Sequence, residues 1–290
     1  MTNFTFIIPH KNTPELLLKC IDSIPRREDA QVIVVDDNSD NTDFDKLRAD
    51  IDAMGHSNLE LVLTKEGRGA GYARNVGLSK AEGKWIVFAD ADDFFNECIE
   101  EAMEKYVDSE AEVVFLRGNS IKVPSGEPAH RGEGYDALVD EALTTGDKFL
   151  PVFFSSPWRK FFRKSFLDKY GINFNEVRWG NDVVFMAKVA RYASQFEISP
   201  LRIYCITDSS NSLVKASSLE SQVCRLEQEC QEVSLVKQRY PNREAIYFWL
   251  FRCWFNVYKI SKTTALRYLP KTLRSGGLKV LKVFFQQKFS

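Results

Sequence analysis

The residues KWIVFADADDFF, 84–95, decide how the chain reads. Residues 85–89 are apolar and β-prone without interruption, the pattern of a strand buried on both faces. The run stops abruptly in Asp90-Ala91-Asp92-Asp93. Alternate side chains of an extended chain share a face, so Asp90 and Asp92 are expected on one side at the carboxyl end of this strand. Such a pair suits a hard cation: Mg²⁺ or Mn²⁺ takes one or two carboxylates and leaves room for water and phosphate oxygens. The competing reading is that the aspartates cap the helix that follows.

Upstream, residues 4–8 form a buried strand closed by Pro9-His10-Lys11-Asn12. Thr13, Pro14 and Glu15 then have the chemistry of a helix start, and Leu16, Leu17, Cys20, Ile21 and Ile24 follow helical spacing. A second strand, 32–35, ends in Asp36-Asp37-Asn38-Ser39. A helix to about Met54, a strand at 59–63 and the loop GRGAGYARN, 67–75, come next. A helix ending near Gly83 precedes the aspartate strand, and a helix at 96–107 and a strand at 113–116 follow it.

Alternating strands and helices predict an α/β fold with a mostly parallel sheet and right-handed crossovers. Ligands of such sheets sit beyond the carboxyl ends of the strands. Three polar clusters, 9–12, 36–39 and 90–93, fall at such ends, and the Gly-rich loop enters the same neighbourhood. That loop does not follow the first strand, as a dinucleotide fingerprint would, and it lacks the GK[ST] ending of a P-loop. Arg74 behind it is a candidate contact to a phosphate or a base.

A chain of 290 residues with 44% hydrophobic content can build a large core. The six cysteines are scattered without a CxxC pair, which suits a reducing compartment, and the three histidines are too far apart for an evident zinc site. No signal-peptide pattern is visible, and no apolar run reaches the length of a spanning helix. Charge is unevenly divided. Residues 1–236 carry 27 Lys/Arg against 39 Asp/Glu, a net −12, whereas 237–290 carry 12 Lys/Arg against Glu244 alone, a net +11. The basic end implies an anionic partner.

The stretches FIIPHKN (6–12), VIVVDDNSDNT (32–42), GAGYARNVGLSKAEGKWIVFADADD (69–93), SPWRKFFRKSFLDKYGINFNE (156–176) and NDVVF (181–185) resemble, in that order, the motifs of family 2 glycosyltransferases. These are inverting enzymes of GT-A fold that use nucleotide-sugar donors, here of the type that builds bacterial surface polysaccharides. The resemblance covers about residues 4–215. It implies that Pro9 and Asn12 line a base and ribose pocket, that Asp37 meets a uracil ring with Asp36 beside it, and that Arg74 lies near base or phosphate. Asp90 would approach the ribose and, with Asp92, hold a Mn²⁺ or Mg²⁺ ion on the diphosphate.

Asp182 would be the general base. Asn181 departs from the Glu usual before it, which leaves open a non-catalytic nucleotide-sugar-binding scaffold as the alternative. Trp158, Glu176 and Asn181 are implied acceptor contacts, and Ser212 and Lys215 belong to a loop that resembles one closing over the diphosphate. On physical grounds alone, Trp158 could equally be core and Asp182 could cap the helix 183–192. The implied partners are a UDP-sugar donor and a saccharide or lipid-linked saccharide acceptor. The implied organisation is a donor half (1–120), an acceptor half (121–215) and a basic helical extension (216–290).

Residues 121–154 lose the strand and helix rhythm, with VPSGEPAHRGEGYD, 123–136, as a turn-rich segment. Residues 245–258, AIYFWLFRCWFNVY, are rich in aromatics but too short and too interrupted by Arg252 and Asn256 to span a bilayer. A helix from Leu278 would place Leu281, Phe285 and Phe289 on one face and Lys279, Lys282 and Gln286 on the other. A basic amphipathic end is a membrane-surface signature, so the expectation is a cytoplasmic protein held peripherally on the inner face of the cytoplasmic membrane. The alternatives are that the aromatics pack on the catalytic domain or form a homodimer contact. Basic aromatic segments also bind nucleic acid, but nothing else in the chain supports that partner.

Overall fold

A computed structural model describes residues 1–40, 42–148, 153–208, 217–241, 244–280 and 282. The strands are β1 (Phe4–His10), β2 (Ala30–Asp37), β3 (Leu59–Thr64), β4 (Trp85–Phe88), β5 (Phe94–Phe95), β6 (Val113–Lys122), β7 (Lys160–Arg163) and β8 (Phe196–Asp208). They form one sheet in the order β3-β2-β1-β4-β7-β6-β8-β5. β1 to β4 run parallel, as the alternation predicts. β7 enters antiparallel to both β4 and β6, and β5 lies antiparallel to β8, so the sheet is mixed.

The helices of the first half are α1 (Pro14–Asp22), α2 (Phe44–Ala53), α3 (Ala70–Lys80) and α4 (Cys98–Tyr106). α5 (Glu133–Thr145), α6 (Lys164–Tyr170) and α7 (Asn181–Tyr192) follow, and α8 (Leu219–Val236), α9 (Glu244–Ile260) and α10 (Lys262–Gly276) end the chain. The pleat of β1 sends Phe4, Phe6 and Ile8 into a core on one face and Ile7 into a core on the other. That two-sided burial explains why the central strands are apolar throughout.

Four local expectations change. Thr13 makes no capping bond to α1; its own N–H donates instead to His10 Nε2 at 3.1 Å. The aspartates do not cap a helix, because the chain first forms β5, and α4 starts only at Cys98. Asp182 is not a cap either: Gly180, at φ 72°, holds that position for α7. Finally, the stretch read as irregular contains α5, bracketed by left-handed Gly132 and Gly146 and buried through Tyr135, Val139 and Ala142.

At the C-terminal end, α9 turns Ile246, Tyr247, Leu250, Phe251 and Val257 inward, into the same core as Leu226, Cys230 and Val233 of α8 and Phe185 and Val189 of α7. Each such burial contributes roughly 1.5–3 kcal/mol. Most of the aromatic run therefore serves packing. α10 folds back along α9, with Trp254 Nε1 donating to the Ala265 carbonyl at 2.9 Å. No helix among the described residues is long and apolar enough to cross a membrane. Leu281, Phe285, Gln286 and Phe289 lie outside the described residues.

Two glycines with opposite surroundings test the packing. A Cβ at Gly83 would stand 2.6 Å from backbone atoms of Phe4 and Thr5, whereas one at Gly134, inside α5, would meet nothing within 4 Å. Gly83→Ala should lower stability by about 1–3 kcal/mol. Gly134→Ala should raise it by about 0.5–1 kcal/mol. Urea unfolding midpoints measure both.

Candidate active site

The parallel run of β1, β2 and β4 brings their carboxyl ends together. At the first two ends the polar residues bind one another. His10 Nε2 accepts the Thr13 N–H, so its proton sits on Nδ1 and is donated to Asp36 Oδ2 at 2.8 Å. Asp36 also accepts from the Ser39 backbone N–H at 2.8 Å and from Ser39 Oγ at 2.5 Å. Burial pushes the Asp36 carboxyl up, but the bonds from His10 and Ser39 outweigh it and hold the group below the usual carboxylate range. Asn12, left-handed at φ 56°, cross-links to this turn through the Asp40 N–H at 2.8 Å. Pro9, half-buried, faces Val35 across the sheet.

Asp37 reaches the Gly-rich loop. Its two oxygens accept the backbone N–H groups of Arg68 at 3.0 Å and Gly69 at 2.7 Å. Beyond that loop α3 approaches the segment before α7 so closely that a Cβ at Gly71 would lie 2.3 Å from the Asn175 carbonyl oxygen. This glycine of the Gly-rich loop is thus needed for packing.

At the end of β4 the chain turns, closed by the Asp93 N–H bonding to the Asp90 carbonyl at 3.1 Å. Asp90 and Asp92 meet through this turn, not through alternation along a strand, and Asp93 joins them. One carboxylate oxygen of each lies within 4.8 Å of the others. Asp93 is buried and is held by β8: Tyr204 Oη donates to Oδ2 at 2.9 Å and the Thr207 N–H to Oδ1 at 2.7 Å. The same Tyr204 oxygen accepts the Asp90 N–H at 2.9 Å, and Thr207 Oγ1 donates to the Asp92 carbonyl at 2.8 Å.

Burial and then the Asp90 charge push the Asp92 carboxyl up. Burial and both neighbouring charges push Asp93 much further. Crowded carboxylates with an all-oxygen donor set fit a hard divalent cation, whose charge would relieve this repulsion. Asp90 and Asp92 would hold it, since both oxygens of Asp93 are already bonded to β8.

Asp182 stands in the first turn of α7, fixed by Phe185 one turn later. That ring stacks on Phe174 at 4.2 Å and meets Phe162 of β7 at 5.3 Å and Phe88 of β4 at 5.6 Å edge-on. Burial pushes the Asp182 carboxyl up; the Arg74 charge opposes this and the Asp90 charge adds to it. Arg74 is the connection the sequence does not reveal. Its guanidinium donates to Asp90 Oδ1 at 2.5 Å and to Asn181 Oδ1 at 2.9 Å, and it lies 5.2 Å above the Phe174 ring.

Glu176 pairs with Arg68 and accepts from Asn75 Nδ2 at 3.3 Å, at the edge of a groove that Ser79, Asp168 and Asn173 also line. Trp158 is 8% exposed and stacks on Tyr204 at 6.1 Å, so it backs the aspartate turn. Lys160 is wholly buried, donating to the Ser156 carbonyl at 2.7 Å, and burial and then the Arg159 charge push its ammonium down. Ser212 and Lys215 lie outside the described residues. Tyr204, Thr207 and Asp93 were not singled out from sequence; a tyrosine inside an apolar strand carries no signal of a partner more than a hundred residues away.

The model of a family described as Glycosyl transferase family 2 matches residues 5–171. A glycosyltransferase named GlyG from Streptococcus pneumoniae is 25% identical over 220 residues, covering 72% of this chain and 72% of its own. A GalNAc(5)-diNAcBac-PP-undecaprenol beta-1,3-glucosyltransferase from Campylobacter jejuni is 28% identical, covering 75% of this chain and 69% of its own. In fold the chain is similar to S. aureus TarS 1-349 in complex with UDP-GlcNAc, at TM-score 0.65 and 19% identity over 94% of this chain and 79% of that one. It is also similar to a mannosyltransferase from Pyrobaculum calidifontis in complex with GDP-Man and Mn²⁺, at TM-score 0.58 and 17% identity over 99% and 79% of the two chains.

Tyr204→Phe removes one hydroxyl that serves two buried groups, the Asp93 carboxyl and the Asp90 N–H. Leaving them unpaired should lower stability by about 1–3 kcal/mol in thermal unfolding.

Proposed function

The chain belongs to glycosyl transferase family 2, and from that premise we propose that it is an inverting, divalent-metal-dependent transferase moving a sugar from a UDP-activated donor to a saccharide hydroxyl. One observation carries this reading. Arg74 binds Asp90 of the aspartate turn and Asn181 beside Asp182, so one guanidinium ties the turn suited to a leaving diphosphate to the helix start that carries Asp182, and its charge also acts on that carboxyl.

In the proposed reaction Asp182 takes the proton of the acceptor hydroxyl as its oxygen attacks the anomeric carbon. The bond to the diphosphate breaks on the opposite side, and a single displacement inverts the centre. One positioned carboxylate suffices for this, whereas glycoside hydrolysis uses a pair. A divalent cation held by Asp90 and Asp92 would supply charge stabilisation to the departing diphosphate. The Arg74 guanidinium has N–H donors beyond the two bonded to Asp90 and Asn181, and one of them would meet a phosphate oxygen. Pro9, Asn12, Asp36 and Asp37 would frame the base and ribose, with Asp36 shaping the turn through His10 and Ser39. Asn181 and Glu176 would meet the acceptor, whereas Trp158, stacked on Tyr204, supports the aspartate turn and not the acceptor.

A lipid-linked saccharide at the inner face of the cytoplasmic membrane is the proposed acceptor, and the undecaprenol in the name of the Campylobacter relative supports it. A neutral Asn181 where the resemblance implies Glu favours a second reading, a donor-binding scaffold without turnover. The Asp182 variant below separates the two.

Calorimetric titration with UDP should show binding strengthened by Mn²⁺, with that increment lost in Asp92→Ala. Asp182→Asn should bind UDP unchanged and lose about 10²–10⁴ in transfer rate. Because a base must be ionised and burial raises this one, the rate should fall with falling pH along a limb placed above the usual carboxylate range. A natural protein that binds UDP but transfers nothing to any offered saccharide would support the scaffold.

A further inference from the structure

The hairpin of α9 and α10 leaves four large apolar side chains in solvent: Trp249 at 49%, Ile260 at 47%, Leu266 at 61% and, just after it, Leu278 at 81%. The other exposed large apolar residues among the described residues, Met1, Leu63, Val123 and Leu143, are dispersed along the chain. Each of the four hairpin residues has an exposed base beside it. Arg252 lies 5.0 Å from the Trp249 ring, Lys259 and Lys262 flank Ile260, Arg267 follows Leu266 and Lys279 follows Leu278. On α9, Trp249, Arg252, Asn256 and Ile260 recur at helical spacing along one stripe, as do Leu266, Pro270 and Arg274 on α10. Other stripes of the same helices, with Leu250, Val257 and Ala265, enter the core.

The charge on this outer face is not neutralised from within. Lys271 pairs with Glu227 of α8, and Lys282 with Glu244. Arg252, Lys259, Lys262, Arg267 and Arg274 form no ion pair among the described residues, whereas Lys279 folds back onto the Pro241 carbonyl. Bases alone would suit any polyanion, but Trp, Ile and Leu set among them suit a surface that is anionic outside and apolar beneath.

We propose that the outer face of the α9–α10 hairpin seats the protein on an anionic phospholipid bilayer, with Trp249, Ile260, Leu266 and Leu278 entering the headgroup layer and the bases meeting lipid phosphates. The benefit of this seat, though not its chemistry, rests on the transferase reading. α8 packs against α7 on one side and against both helices of the hairpin on the other, and packed helix axes are about 8–10 Å apart. A seated hairpin thus brings Asp182 within reach of a saccharide carried on a lipid.

The test is flotation of the full chain with vesicles of phosphatidylcholine alone and of phosphatidylcholine mixed with phosphatidylglycerol. Binding is expected to the mixed vesicles only. It should weaken about five-fold for each base removed, so about twenty-five-fold in the double variant Lys259→Gln, Lys262→Gln. Trp249→Ser with Leu266→Ser should weaken it at least ten-fold at unchanged charge. Equal binding to both vesicles, or an unaffected serine variant, overturns the proposal. So does a dimer, seen by light scattering, that the serine variant dissolves while neither protein floats. Binding of a duplex oligonucleotide without flotation would assign the bases to nucleic acid instead. UDP calorimetry on the same variants should be unchanged; loss of UDP binding in the natural protein would remove the transferase reading and leave the membrane seat standing.

Discussion

A single buried guanidinium holds the site together. Arg74 is 6% exposed and bonded to an aspartate on one side and an amide on the other, an arrangement that requires α3 to lie unusually close to the start of α7. Gly71 permits that approach. A buried arginine is tolerable only with a charge or several acceptors beside it, and Asp90 supplies the charge. The partner it bonds on α7 is neutral, so its charge is divided between Asp90, which it bonds, and Asp182, whose carboxyl it draws down against burial. A Glu at position 181 would add a third carboxylate to that competition.

The second half of the sheet has a clear purpose in these terms. β8 holds the aspartate turn through Tyr204 and Thr207, and β7 carries Phe162, on which Phe185 and so the helix of Asp182 rest. Trp158, stacked on Tyr204, closes the same support from behind. Three crowded carboxylates would otherwise repel one another apart; the bonds from β8 keep them converged.

Much of this was legible in the chain, because uninterrupted apolar runs such as 32–35 and 85–89 leave few choices but buried parallel strands, and polar clusters at their ends mark where ligands go. The aspartates stood out for the same reason, Arg74 through the Gly-rich loop before it, and Asp182 only through the family resemblance. Geometry that depends on distant partners did not. Tyr204 and Asp93 look like a packing residue and a spare carboxylate until β8 is laid beside the turn. α5 was hidden because Gly132 and Gly134 at its start read as more loop, although Tyr135, Val139 and Ala142 carry a helical stripe. The aromatics of α9 look alike in sequence, and only their packing on α8 separates those that fill the core from Trp249, which does not.

The strand order carries one more consequence. β7, made late, lies between β4 and β6, and β5, made early, pairs with β8 at the far edge. The bonds from β8 that shape the aspartate turn span 111 to 115 residues of sequence. On a ribosome, the first βαβ units can collapse as soon as they emerge, but their ligand-bearing turn stays unshaped until residue 207 has followed. The shape of the turn is thus acquired only once β8 has followed, and a chain cut before residue 207 carries the aspartates without the bonds that hold them together.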